Sequence, residues 1–215
     1  MHNSIINLNT IENILKTKID KLPSIIAVSK TFPMSEILPL INHGHINFGE
    51  NKVQESLEKW TSIKNDFNQI KLHMIGKLQT NKVKYVIPLF DYIHSLDSLR
   101  LAEKISSEQI KQSKKLKIFI QINIGEEPQK SGISIDRVGD FYTKCTKELG
   151  LDIIGLMCLP PINDNAINYF SIMRSLSKKI NVTDLSMGMS NDFLEAGISG
   201  STYLRIGSKI FGNRS

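Results

Sequence analysis

A (β/α)8 barrel is the fold this α/β sequence predicts, on three observations. Eight short β-rich runs recur along the chain, and nearly every gap between them carries apolar residues at helical spacing. Several runs are almost continuously apolar, as expected of parallel strands covered on both faces. No Gly/Ser/Pro linker, composition shift or internal repeat divides the 215 residues, so residues 1–215 read as a single domain. The length lies near the low end for such a TIM barrel and leaves little for insertions. A doubly wound open sheet is the alternative arrangement of the same units.

In chain order the runs are SIIAVS (24–29), HINFG (45–49), LHMIG (72–76), YIHSL (92–96), KIFIQINI (117–124), DIIGLMCL (152–159), TDLSMG (183–188) and TYLRIG (202–207). A helix is expected over 34–43, although Pro39 inside it should break or kink it. After Asp97, residues Leu99, Ala102, Ile105 and Ile110 line one face. After the sixth run, Ile167, Phe170, Met173, Leu176 and Ile180 form a stripe, with Asn163 or Asp164 placed to cap its start. Trp60 reads as a helix packing residue and KQSKK (111–115) as a solvated helix end.

Composition narrows the function classes. Hydrophobic residues are 40% and charged residues 22%, near the averages for soluble globular proteins, which excludes collagen-like, mucin-like and wholly disordered chains. No apolar run approaches the roughly eighteen residues of a membrane helix. The amino terminus carries no basic leader followed by an apolar block, so a cytoplasmic address is expected. Cys145 and Cys158 lack ligand or disulfide-framework spacing and read as small core residues. His43 and His45 flank Gly44 as in a turn, and no metal is expected. His73 and His94 lie on strands and read as hydrogen-bonded core histidines. The net charge of +6 suits an anionic partner, a phosphorylated small molecule as well as RNA. Scattered lysines and 7% aromatics supply no stacking platform, so no nucleic-acid role is expected.

In a barrel the reactive groups sit at the carboxyl ends of the strands. The first run ends in Ser29 and Lys30, and the second leads to Gly49, Glu50 and Asn51. The seventh leads through Ser186, Met187, Gly188, Met189 and Ser190 into a helix, and the eighth through Arg205, Gly207 and Ser208 into another. A Gly/Ser turn feeding a helix presents backbone N–H groups to an anion, and barrels commonly hold phosphate after strands seven and eight. Taken singly, Gly188 and Gly207 read equally as tight turns and Ser190 as a cap; together with Arg205 they favour phosphate. Lys30 taken alone reads as a surface lysine. At the end of a buried strand, however, desolvation frees a neutral amine to attack a carbonyl. An amine facing a phosphate site suits pyridoxal 5′-phosphate.

The segments AVSK (27–30), FGENKVQE (48–55), HMIGKLQTNK (73–82), IHSLDSLRLAEKI (93–105), QINIGEEPQKSGI (121–133), GLMCLP (155–160) and LSMGMSNDFLEAGISGSTYLRIGSKIFGNR (185–214) resemble, in order, the pyridoxal phosphate homeostasis proteins, the YggS/PROSC family. The resemblance implies a fold-type III barrel similar to the alanine racemase N-terminal domain, with the cofactor bound as a Schiff base to Lys30. It also implies Asn51 near the ring and Ser186, Ser190, Arg205, Gly207 and Ser208 around the phosphate. Arg205 could instead face the pyridine nitrogen, where it would disfavour protonation and weaken the ring as an electron sink. Phe32 stands where many members carry a second lysine, Lys52 where an aromatic is frequent, and Lys130 matches a family lysine linked to a secondary cofactor site.

The function so implied is pyridoxal 5′-phosphate binding and homeostasis without catalytic turnover, by a monomer that could hand the cofactor to apoenzymes. The alternative is a racemase-like enzyme on the same barrel. Racemisation needs a base on each face of the substrate α-carbon, and in alanine racemases one comes from a second, β-rich domain; this chain ends shortly after the eighth run. A phosphosugar isomerase or lyase using Glu50 and Lys30 would leave the family segments unexplained.

Overall fold

The computed structural model describes residues 1–162 and 164–212. Its eight strands are β1 (Ser24–Val28), β2 (Asn47–Glu50), β3 (Lys71–Met74), β4 (Tyr92–Leu96), β5 (Lys117–Ile122), β6 (Asp152–Cys158), β7 (Asp184–Ser186) and β8 (Tyr203–Ile206). They pair in parallel in chain order, and β8 closes on β1. Each coincides with one of the eight runs, and the closed ring excludes the open sheet. The strands stop short where the chain must turn. Gly188, at φ 90°, ends the seventh run at Ser186. The fifth ends at Ile122 because the Asn123 N–H donates to Ile133 O of a returning loop, 3.0 Å away.

The intervening helices are α1 (Asn3–Lys16), α2 (Met34–Asn42), α3 (Val53–Asp66), α4 (Val83–Leu89), α5 (Leu99–Lys111), α6 (Val138–Thr143), α7 (Ala166–Lys179), α8 (Phe193–Ile198) and α9 (Ser208–Phe211). Alternate strand residues such as Ala27, Phe48, Leu72, Ile118, Leu156 and Leu204 face outward into one continuous core beneath them. Among the described residues no helix is long and apolar enough to cross a membrane.

Several helix expectations are corrected. Pro39 does not end α2, which runs through it. The proline costs about 3 kcal/mol, but the helix buries Ile37, Leu40 and Ile41, each worth about 1.5–3 kcal/mol. In α5 the buried face is Leu101, Ala102, Ile105, Ser106, Glu108 and Gln109, while Leu99 and Ile110 are exposed. In α7 the stripe holds from Phe170 to Ile180, but Ile167 is exposed. The cap is Asn165, whose side chain accepts from the Ile167 N–H; Asp164 instead accepts from the Tyr169 hydroxyl at 2.6 Å. Asn163 lies outside the described residues.

Candidate functional site

Barrel closure brings the two ends of the sequence together. The residues singled out from sequence lie on β7, β8, β1 and β2, four consecutive staves of the ring, at or just beyond their carboxyl ends. Ile26 pairs with Arg205 and Ala27 with Ile206. A Cβ on Gly207 would meet Val28 at 3.4 Å, so the turn after β8 rests against the strand that carries Lys30. Lys209 N–H donates to Ser190 Oγ at 3.3 Å, which joins the turn after β7 to the start of α9. On the other side, β1 meets β2 through the Val28–Gly49 pair. Asn51 follows in a tight fit, since a Cβ on Gly76 would lie 2.4 Å from its carbonyl oxygen. Ser29 turns outward and donates to Glu50 Oε1 at 2.8 Å. Lys30, one residue on, is half-buried.

Beneath the rim, the interior carries a hydrogen-bonded chain across five strands. Arg205, 5% exposed, donates through Nη1 to Ser186 Oγ at 2.6 Å and through Nη2 to Cys158 O at 2.8 Å. Ser186 Oγ lies 2.9 Å from His94 Nδ1, His94 Nε2 lies 3.0 Å from His73 Nδ1, and His73 Nε2 lies 3.1 Å from Asn47 Oδ1. Burial keeps both imidazoles neutral. A guanidinium only donates and an amide oxygen only accepts, so with neutral rings Ser186 O–H donates to His94, His94 Nε2–H to His73, and His73 Nε2–H to Asn47. Burial, then the charges of His45 and Lys64, push His73 down to about 3. Burial, then His73 and Arg205, hold His94 well below its ordinary value. Tyr92 stacks on His73 at 4.2 Å, Phe119 stacks on His94 at 4.3 Å, and Tyr203 meets His73, His94 and Phe119 edge-on or tilted, filling the space below.

The predicted residues thus divide by depth. Asn51 and Gly207 are half-buried at the rim with Lys30 and Ser190, and Ser208 is exposed. Ser186 and Arg205 lie below, engaged with each other. Met187 is buried as a packing residue, whereas Met189 is 40% exposed. Phe32 stacks on Phe211 at 4.8 Å, and Lys130 pairs with Glu127. Reading the sequence placed both histidines in hydrogen bonds but missed Asn47 and the chain that joins them to Arg205. It also missed Lys59, which pairs with Glu50 and Glu55 behind the Lys30 segment. Strand alternation carries part of the signal, since Tyr92 and His94 share a face.

Residues 6–215 match the family model described as alanine racemase, N-terminal domain. The protein named pyridoxal phosphate homeostasis protein in Aquifex aeolicus is 36% identical over 199 residues, spanning 88% of this chain and 86% of that one. Its namesake in Escherichia coli K12 is 34% identical over 200 residues, 89% and 86% respectively. The structure of PipY from Synechococcus elongatus PCC7942 with PLP bound superposes with a TM-score of 0.85 at 28% identity, covering 97% of this chain and all of that one.

Proposed function

Because the chain belongs to the alanine racemase N-terminal domain family and, within it, to the pyridoxal phosphate homeostasis proteins, we propose that it binds pyridoxal 5′-phosphate at the carboxyl rim of the barrel. In this reading Lys30 holds the cofactor covalently, and the protein serves cofactor homeostasis without turning over a substrate. One observation supports it: Lys30, Asn51 and two Gly/Ser turns follow four adjacent strands of the ring, whose interior holds a buried guanidinium. That donor set fits the group.

Lys30 would hold the cofactor, which would supply an aldehyde that an amine can bind reversibly with loss of one water and no change of oxidation state. The chain's own residues do the rest. Ser190 and Ser208, with the backbone of the turns at Gly188 and Gly207, bracket the phosphate. Asn51 borders the ring. Arg205 places a positive charge beneath the site, and Ser186 supports Arg205 rather than reaching the phosphate, because its Oγ is already committed to Arg205 and His94. A bond reversed by water suits storage and release, with pyridoxal 5′-phosphate-dependent apoenzymes as recipients. The reading includes a single domain over 1–215, a monomer and a cytoplasmic address.

The test is direct. Protein incubated with pyridoxal 5′-phosphate and then reduced with borohydride should carry a pyridoxyl mass on the peptide containing Lys30, and Lys30→Ala should abolish it. An unmodified peptide, or the mass on another lysine, overturns the assignment. Incubation of the loaded protein with single amino acids should leave their chirality unchanged; rapid racemisation would establish an enzyme.

A further inference from the structure

We propose that Lys59 is a positioning residue for Lys30, acting with Glu50 and Glu55 as an ionic clamp on the main chain of residues 29–32. The inference rests on the cofactor reading above. Lys59 Nζ lies 2.9 Å from Glu50 Oε1 and 2.9 Å from Glu55 Oε1. It also donates to Ser29 O at 2.8 Å and Phe32 O at 3.2 Å. One ammonium on α3 thus holds a carbonyl on either side of Lys30. Glu55 Oε1 accepts from the Thr31 N–H at 2.6 Å, and Glu50 Oε1 accepts from both Ser29 Oγ at 2.8 Å and Trp60 Nε1 at 3.0 Å. Every residue flanking Lys30 is therefore tied to this cluster.

The held conformation is one the segment would not adopt unaided. Thr31 sits at φ 68°, a strained region that a β-branched residue rarely enters. The Glu55–Thr31 bond and the two carbonyls on Lys59 hold it there. Although burial opposes it, the Lys59 hydrogen bond and then the Thr31 N–H keep the Glu55 carboxyl below its ordinary value. The acceptor is thus charged at neutral pH.

Docking of α3 alone does not call for this arrangement. The helix already buries Trp60 against Phe48, with ring centroids 5.0 Å apart, and a buried ion pair adds little over well-packed apolar side chains. Glu50 is fully buried and Lys59 is 13% exposed, so their charges are desolvated at a cost. What an apolar residue could not do is grip two carbonyls that bracket the reactive lysine. The Phe32–Phe211 stack carries the same segment onto α9, so clamp, lysine and phosphate turn form one continuous unit.

Three variants test the clamp. Lys59→Met keeps the stem and removes the charge, Lys59→Arg keeps a cation able to reach the same oxygens, and Glu55→Met removes the acceptor of the Thr31 N–H together with one ion pair. Amide hydrogen exchange of residues 30–32, read without cofactor, should rise at least tenfold in Lys59→Met and less in Glu55→Met. Capture of pyridoxal 5′-phosphate by Lys30 should slow by about ten- to a hundredfold in Lys59→Met, as expected when a reacting group is misplaced by about an ångström. Lys59→Arg should recover most of both. Failure of the natural protein to form the Lys30 adduct overturns the cofactor reading. A normal adduct in the natural protein, with exchange and capture in Lys59→Met within twofold of it, overturns the clamp alone. Should Lys59→Met not fold, Glu55→Met and Lys59→Arg decide it: exchange at Thr31 unchanged in Glu55→Met refutes the proposal, and an increase supports it.

Discussion

Replacing Ser186 by alanine removes a single oxygen from the barrel interior, yet it should be among the costliest substitutions in the chain. The hydroxyl accepts from Arg205 Nη1 at 2.6 Å and donates to His94 Nδ1 at 2.9 Å. Its loss strands one neutral acceptor and one charged donor where Ser186 and His94 are fully buried. A stranded neutral group costs about 1–3 kcal/mol and a charged one more, whereas the volume lost is too small for an appreciable cavity term. Arg205 keeps its bond to Cys158 O, so the total is about 3–5 kcal/mol. With a urea m-value of about 2–3 kcal/mol/M, the midpoint should fall by about 1–2.5 M. Thr10→Ala, which removes an exposed hydroxyl bonded to Ile6 O, should move it by less than about 0.3 M. In the double variant with Arg205→Met, one stranded group disappears with its partner, so the two losses should be sub-additive by more than about 1 kcal/mol. A Ser186→Ala midpoint no lower than that of Thr10→Ala, or strict additivity with Arg205→Met, would refute the buried chain.

Acidification should unfold the protein before its carboxylates titrate. His73 and His94 are held neutral, His73 down at about 3 and His94 well below its usual value, whereas in the unfolded chain they take a proton near pH 6.5. The unfolded state therefore binds more protons below that pH. Stability is fully present above it and falls by about 1.4 kcal/mol per pH unit per histidine on the way down. From pH 6.5 to 5 the two should remove about 3 kcal/mol; urea midpoints that are flat across that window would refute their burial as neutral groups. Cys145 and Cys158 are pushed up to about 12 by burial, so iodoacetamide should label neither in the native protein and both in urea. Rapid native labelling of either would contradict its burial. Gly76→Ala forces a methyl to within 2.4 Å of the Asn51 carbonyl oxygen. Cofactor affinity should fall at least tenfold, read by fluorescence titration, and unchanged affinity would remove Asn51 from the ring's surroundings.

What the sequence made legible was whatever local chemistry controls. Continuous apolar runs such as IIAV can bury both faces, and that property located several of the strands. Gly188 marked its turn because few residues adopt its φ of 90°. The faces of α5 were misread because polar side chains occupy its buried side: Gln109 Oε1 accepts from the Leu116 N–H at 2.6 Å, and Glu108 pairs with Lys104 at 2.8 Å. Apolarity alone cannot see a buried glutamine whose hydrogen bond makes burial acceptable. The interior chain was hidden for a different reason. His94 and Ser186 are 92 positions apart, and no local spacing encodes a contact made across the inside of a closed ring. Lys59 was hidden likewise, since its partners Ser29 and Phe32 lie on another element.

That dependence on closure makes the site a reading of strand register. Side chains alternate between core and interior along every strand, so a slip of β8 by one residue against β1 would turn Arg205 outward and Ile206 inward. The observed register, Ile26 opposite Arg205 and Ala27 opposite Ile206, is held from the amino-terminal side. The Ser24 N–H donates to Thr202 O at 2.8 Å. The Leu185 N–H donates to Thr202 Oγ1 at 2.9 Å, and Ser201 Oγ donates within the same corner, with Met187 O 2.7 Å away. The buried guanidinium adds a second constraint, because an outward Arg205 would lose Ser186 and Cys158 together and leave a charge in the apolar layer beneath the helices. The polar chain and the apolar core thus penalise the same slip from opposite faces. This explains how four short strands, one of them only Asp184–Ser186, can hold groups from residue 30 and residue 205 in one place.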